Sequence, residues 1–142
     1  MIDTQSPLAL HSEAQRLWSA WIAMWNGEAD ANTIVSAEFQ IRFAGDLPGT
    51  DGIRGPAAFQ SFVTASRAKP DVPTFVSAGS PIVDSDRSGS LVSGQVVSRW
   101  NRHVVDRIEG GMDILAFVNG RVIMAWSVTG KRAWPDERTS GD

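Results

Sequence analysis

The segment Gly111–Val128, GMDILAFVNGRVIMAWSV, predicts a β-hairpin whose turn is the dipeptide Asn119-Gly120. A type I′ turn needs a positive φ at both central residues, and Asn-Gly between two apolar runs is its strongest sequence signal. The two-residue turn sets the strand register and places Asp113 opposite Trp126. Because side chains alternate between the faces of a strand, one face is predicted to carry Asp113, Leu115, Phe117, Val122, Met124 and Trp126.

Asp113 is the first candidate for chemistry, because a carboxylate on an apolar face is costly unless it is paired or lines a cavity. The other face of strand 112–118 is also apolar. Antiparallel sheets usually leave one face in water. We therefore expect helices to cover one face and a second subunit to cover the other, with Trp100 on the outer face. The sequence thus predicts a homodimer.

The composition excludes several classes of site. The 142 residues include no cysteine and no tyrosine, which removes disulfides, thiolate chemistry and any phenolic proton donor. The two histidines lie far apart in the sequence, so no metal-ligand spacing and no cofactor motif is found. The net charge is −3 without a basic stripe, which argues against nucleic acid as a partner.

No secretory signal and no apolar run long enough for a membrane span is found in the sequence. We therefore expect a cytoplasmic protein with no membrane partner. A single domain is predicted over residues 1–142, with its core at about 12–130, a loose arm over residues 1–10 and a frayed tail from Trp134 onward.

The first half of the chain predicts helices. Ser12 and Gln15 resemble a capping box that opens a helix ending at Asn26-Gly27. A short helix over 28–35 and a strand over 38–43 follow. Gly55-Pro56 then opens a third helix.

The second half predicts strands. They cover residues 74–83, with an interruption near Gly79-Ser80-Pro81, then 90–102, 111–118 and 121–128. The order predicts an α+β fold with helices against one face of a curved antiparallel sheet.

A stripe of tryptophans lies along the first helix, at Trp18, Trp21 and Trp25. Their helical spacing is typical of a face packed into the core. A second interpretation is that one or two of the indole rings also line a ligand pocket. Both interpretations stay open at this point.

Three stretches, 21–28, 55–71 and 111–128, resemble the SnoaL-like polyketide cyclase branch of the nuclear transport factor 2-like superfamily. The resemblance covers about residues 12–130. It implies a cone of curved sheet closed by N-terminal helices (a cystatin-like α+β barrel), usually dimeric, with an internal pocket. In cyclases of that branch an acid on the strand before the last hairpin acts as general acid or base, and Asp113 occupies the matching place. Where the family often carries an acid after the final-strand Trp, this chain has Ser127.

Two relatives of this fold are disfavoured by residue type. Ketosteroid isomerases rely on a tyrosine in the oxyanion hole, which this chain lacks. Limonene epoxide hydrolases use an Arg-x-Asp strand motif, whereas this chain reads Arg99-Trp100-Asn101. The late aspartate of those hydrolases falls at Val128.

Arg99 is the predicted partner of Asp113. If the preceding turn is centred near Asp106, the two side chains lie across from one another, and the guanidinium would depress the pKa of the carboxyl group. One interpretation is a structural ion pair. The other makes Asp113 a general base, with Arg99 or Asn101 binding a substrate oxygen.

The sequence therefore predicts a protein that binds a small hydrophobic or aromatic molecule and needs no cofactor. If it is an enzyme, it transfers a proton next to a carbonyl, in an aldol-type cyclisation or an isomerisation. The alternative is a ligand-binding or accessory module without turnover. The predicted catalytic residues are Asp113 and Arg99, and the predicted substrate-binding residues are Trp18, Trp21, Trp25, Phe43, Phe59, Asn101, Leu115, Phe117, Met124 and Trp126.

Overall fold

The computed structural model describes residues 7–45 and 47–135, with side chains from residue 11 onward. Residues 1–6 of the predicted arm and residues 136–142 of the predicted tail lie outside the described residues. The elements in chain order are α1 Pro7–Trp25, β1 Val35–Phe43, α2 Gly55–Arg67, β2 Thr74–Ser77, β3 Ile82–Ser88, β4 Leu91–Val104, β5 Arg107–Val118 and β6 Arg121–Thr129.

The helices differ from the prediction at the start of α1 and over residues 28–35. Helix α1 ends at Trp25, before Asn26-Gly27 as predicted, but it begins at Pro7 rather than at Ser12. The predicted short helix over 28–35 is a single 3₁₀ turn, which the side chain of Asp30 caps. Helix α2 begins at Gly55 with Pro56 in its first turn, as predicted.

The strands form one six-stranded sheet in the order β1-β6-β5-β4-β2, with β3 also paired to β4. The α+β fold predicted from the sequence is confirmed. All pairs are antiparallel except β1 with β6, which run parallel. A parallel pair needs a long crossover connection, and the chain between β1 and β6 supplies one. Strands β2 and β3 replace the single interrupted strand, separated at Gly79-Ser80-Pro81 where the break was predicted.

The Asn119-Gly120 turn is confirmed, with φ values of 48° and 79°. Phe117 pairs with Val122 as predicted, but Ala116 then pairs with Met124, so Ile123 is an extra residue that forms a β-bulge. One extra residue moves all following side chains to the opposite face.

The bulge corrects the predicted inner face of β6. Met124 and Trp126 lie on the outer face, and Ala125 and Ser127 lie on the inner face. Asp113 therefore pairs with Ser127 rather than with Trp126.

The β4–β5 register differs from the prediction by one residue. The two strands are joined by the two residues Val105 and Asp106, and Asp113 pairs with Ser98 instead of Arg99. Trp100 consequently faces the inside of the sheet, where it is only 4% exposed, and its predicted place on the outer face is wrong.

Between the helices and the inner face of the sheet lies an apolar core. Trp21 stacks on Phe59 with ring centroids 5.5 Å apart, and Phe59 lies 4.6 Å from Phe39. Leu115 and Phe117 are buried in the same core. Because α1, α2 and the four strands β1, β4, β5 and β6 contribute to this cluster, burial of its apolar surface is the main term that holds the layers together.

Candidate functional site

A cavity of about 400 Å³ lies against the inner face of the sheet beside α1 and α2. Asp113 lines it and is buried, and five of the other lining residues are aromatic. The aromatic lining residues are Trp25, Phe43, Phe62, Phe75 and Trp100.

Asp113 is only 3% exposed and is hydrogen-bonded to a side chain of α1. The Trp21 indole nitrogen donates a hydrogen bond of 2.9 Å to its Oδ2. Serines flank it on both neighbouring strands, Ser98 on β4 and Ser127 on β6. Within the described residues, Oδ1 of Asp113, Nε1 of Trp100 and Oγ of Ser98 have no hydrogen-bond partner of good geometry. Buried polar atoms are normally paired, so this cluster has hydrogen-bonding capacity left for a ligand.

Burial raises the pKa of the Asp113 carboxyl group above its ordinary value, because desolvation disfavours the charged form. Polar contacts from Ser127, Trp21 and Trp100 lower the pKa, but by less than burial raises it. Among the described residues, no charged group is a cause of the shift. The depressed pKa expected from an Arg99 ion pair is therefore wrong in direction.

Arg99 and Asn101 lie on the opposite face of the sheet from Asp113. The Arg99 guanidinium lies 5.7 Å from the centre of the Trp134 ring. Asn101 makes two hydrogen bonds with the backbone of Trp134, of 2.8 and 3.0 Å. The Trp134 indole also donates to the carbonyl of Gly111. These contacts anchor the chain at Trp134, which was predicted to be frayed. Arg99 and Asn101 contact Trp134 on the outer face and do not line the cavity.

The other predicted substrate-binding residues divide into three groups. Trp25 and Phe43 line the cavity. Trp18 lies in a neighbouring groove, where its indole donates to Oγ of Ser77. The third group does not line the cavity: Trp21, Phe59, Leu115 and Phe117 are core residues, and Met124 and Trp126 lie on the outer face because of the bulge.

Sequence reasoning missed Phe62, Phe75 and Trp100 as cavity residues. Phe62 carried a signal, because it lies three residues after Phe59 on the same face of α2. Phe75 and Trp100 had no sequence signal for a place in the cavity, since their placement depends on strand registers.

The described residues hold no group of three His, Asp or Glu side chains that could bind a metal ion. None of the described helices is long and apolar enough to cross a membrane.

The element order and the curved, open sheet define the nuclear transport factor 2-like fold, which agrees with the resemblance found in the sequence. No protein-family model and no curated protein sequence matches the chain.

Solved structures share the fold at low sequence identity. A candidate polyketide cyclase from Acidithiobacillus ferrooxidans is 15% identical with a TM-score of 0.55, covering 90% of this chain and 91% of that one. A nuclear transport factor 2-like protein of unknown function from Mesorhizobium loti is 18% identical with a TM-score of 0.54, covering 89% and 96%. A candidate ketosteroid isomerase from Kribbella flavida is 15% identical with a TM-score of 0.53, covering 87% and 82%. At these identities the likeness shows the fold alone.

Proposed function

We propose that the chain binds a small apolar carbonyl compound in the cavity and transfers a proton next to the carbonyl through Asp113. One observation carries the proposal: the buried carboxyl group of Asp113 lines the cavity, with one oxygen hydrogen-bonded to Trp21 and the other without a well-aligned partner among the described residues. A buried carboxyl group with a shifted pKa in a cavity is a functional-site signal.

The chemistry needs two steps at one carboxyl group. Ionised Asp113 accepts the proton of the carbon next to the carbonyl, and the C–H electron pair moves into the carbonyl to give an enolate. The indole N–H of Trp100, which has no well-aligned partner, is the donor for that oxygen. Protonated Asp113 then returns the proton to another carbon in an isomerisation. In an aldol-type cyclisation the enolate carbon instead attacks a second carbonyl, whose C=O π electrons become an alkoxide, and Asp113 returns its proton to that alkoxide.

The raised pKa suits this exchange in both directions. A carboxylate destabilised by burial is a stronger base than an exposed one, and its conjugate acid stays protonated nearer to neutral pH. The Arg99 ion pair expected from the sequence would have made Asp113 a weaker base. Asp113 is therefore the general base, and Arg99 takes no part in the reaction.

The alternative is a ligand-binding module without turnover, in the cytoplasm as the sequence predicts. It is favoured because no charged group in the described part of the chain is a cause of the pKa shift at Asp113. The two candidates differ in one assay. Exchange of the acidic C–H protons of 2-tetralone for deuterium in D₂O requires proton transfer, whereas binding alone leaves the exchange at its uncatalysed rate.

We also propose that the chain is a homodimer through the outer face of the sheet. Trp100, on which the sequence prediction partly rested, faces inward. The bulge instead places Trp126 on the outer face at 41% exposed, and Val128 is 44% exposed nearby. Half-buried Met112 and Ile114 lie on the same face. Exposed apolar surface of this kind marks an interaction site.

Sedimentation at micromolar concentration should therefore give about twice the mass of one chain. Trp126→Asp should shift the protein toward the monomer, because it places a charge in an apolar interface. Val105→Asp is the matched control, since Val105 is exposed at the β4–β5 turn. A wild-type monomer at these concentrations would contradict the proposal.

A further inference from the structure

Four cationic residues line the outer part of the cavity: Arg67, Lys69, Arg102 and Arg107. At this end the lining includes one carboxylate, Asp71. The chain as a whole carries a net charge of −3. The charge at this end of the cavity is therefore opposite in sign to the net charge of the chain.

Arg102 and Arg107 share one carboxylate. Glu109 accepts from Arg102 on Oε1, and its Oε2 lies 3.3 Å from Nε of Arg107. Arg107 also contacts the exposed carboxylate of Asp106 at 3.2 Å, a type of surface pair that contributes little. Two guanidinium groups carry ten N–H donors, so donors and positive charge remain after Glu109 is satisfied.

Arg67 is half-buried at the C-terminal end of α2. Its Nη1 donates to the carbonyls of Trp25 and Pro73, both at 3.0 Å. Among the residues that the structure describes, no carboxylate lies within ion-pair distance of its guanidinium. A partly buried charge is normally paired with an opposite charge. Neutral carbonyls orient Arg67 and leave its charge without a counter-ion at the cavity wall.

We propose that the ligand is an amphipathic anion, with its carboxylate or phosphate held at this cationic end by Arg67, Lys69 and Arg107. Its apolar body lies among the aromatic rings, and its carbonyl reaches Asp113. This inference rests on the proposed function of the same cavity and adds the substrate class to it.

The length of the ligand follows from the strand that connects the two ends. Glu109 and Asp113 lie on the same face of β5, four residues apart. At about 3.4 Å per residue their separation is about 14 Å. An anionic group and a reacting carbonyl in one ligand should be separated by a similar length.

Binding of decanoate, decyl phosphate and 1-decanol tests the charge requirement, because the three share one apolar chain. With each probe below its critical micelle concentration, titration calorimetry at low salt should show the two anions binding about tenfold tighter than the alcohol. This is the scale of one hydrogen bond to a charged group. Whichever anion binds more tightly identifies the source as carboxylate or phosphate.

The double variant Lys69→Gln/Arg107→Gln should lose about tenfold in affinity for the anions and keep its affinity for 1-decanol. Both side chains are exposed, so the fold should tolerate the change. Arg16→Gln/Lys131→Gln is the control, since it removes the same two kinds of positive charge at exposed positions that do not line the cavity. Arg67 is left intact because its hydrogen bonds tie α2 to the chain after it.

Equal binding of the alcohol and the anions would overturn the inference and leave the proton-transfer proposal standing. A preference for anions that survives in the double variant would also overturn it. Anion preference in a protein without 2-tetralone exchange would support the inference and contradict the proposed chemistry. Failure of all three probes to bind would overturn the inference, whereas the proposed chemistry is contradicted only if 2-tetralone exchange is also absent.

Discussion

Asp113→Asn should reduce the exchange of 2-tetralone protons by roughly 10²–10⁴-fold, the usual scale for loss of a general base. The amide has the volume of the carboxyl group and can still accept the hydrogen bond from Trp21, but it cannot take up a proton. Ser127→Ala is the matched control on the inner face of the neighbouring strand. It removes a polar contact to Asp113 and should cost far less.

The same variant should not be less stable than the wild type. Because burial raises the pKa of Asp113 in the folded state, the stabilisation from its bound proton is fully present below the unfolded pKa. That stabilisation is lost as the pH rises through the folded pKa. The free energy of unfolding of Asp113→Asn should therefore rise relative to that of the wild type as the pH increases above the ordinary carboxyl pKa of 3.8. A stability loss of about 3–5 kcal/mol at the higher pH, as for a broken buried ion pair, would contradict this account.

Gly111→Ala should lower the free energy of unfolding by about 1–3 kcal/mol, the usual cost of overpacking. Gly111 lies directly opposite Trp100 in the β4–β5 pair. A Cβ at this position would lie 2.1 Å from Cζ2 of the Trp100 ring. The ring is rigid and is packed against Phe75 at 5.4 Å, so it cannot move aside without cost.

Thermal and urea unfolding would measure the change. Gly52→Ala is the control, because nothing lies within 4 Å of a Cβ there. Trp100→Leu in the Gly111→Ala background should recover part of the loss by removing the clash. Unchanged stability of Gly111→Ala would show that Trp100 does not cover Gly111.

The hairpin shows where sequence reasoning works and where it stops. The Asn119-Gly120 turn could be predicted because its positive φ values require particular residue types. The bulge at Ile123 had no such signal, since an isoleucine in an apolar strand fits either a regular or a bulged ladder. That one residue decided that Ser127, and not Trp126, faces Asp113.

The predicted position of the β4–β5 turn was wrong for a related reason. Neither Val105 nor Asp106 has a positive φ, so the turn lacks the glycine or asparagine that would mark its position. The resulting shift of one residue placed Arg99 beside Asp113 and Trp100 outside. The inward position of Asp113 was nevertheless predicted correctly, because it depends on the spacing from Asn119-Gly120 along β5 alone.

Trp134 was missed because its contacts are long-range. The side chain of Asn101 pairs with its backbone, and its indole reaches Gly111. Local sequence around Trp134-Pro135 contains only loop signals, and nothing in it indicates a partner some thirty residues earlier.

The carboxyl ¹³C shift of Asp113, followed through a pH titration, measures the central feature most directly. The resonance can be assigned by its absence in Asp113→Asn. A buried carboxyl group poised for proton transfer should titrate with a midpoint above the ordinary value of 3.8. A midpoint below that value would mean that Asp113 is held as a stable anion, and would contradict the account.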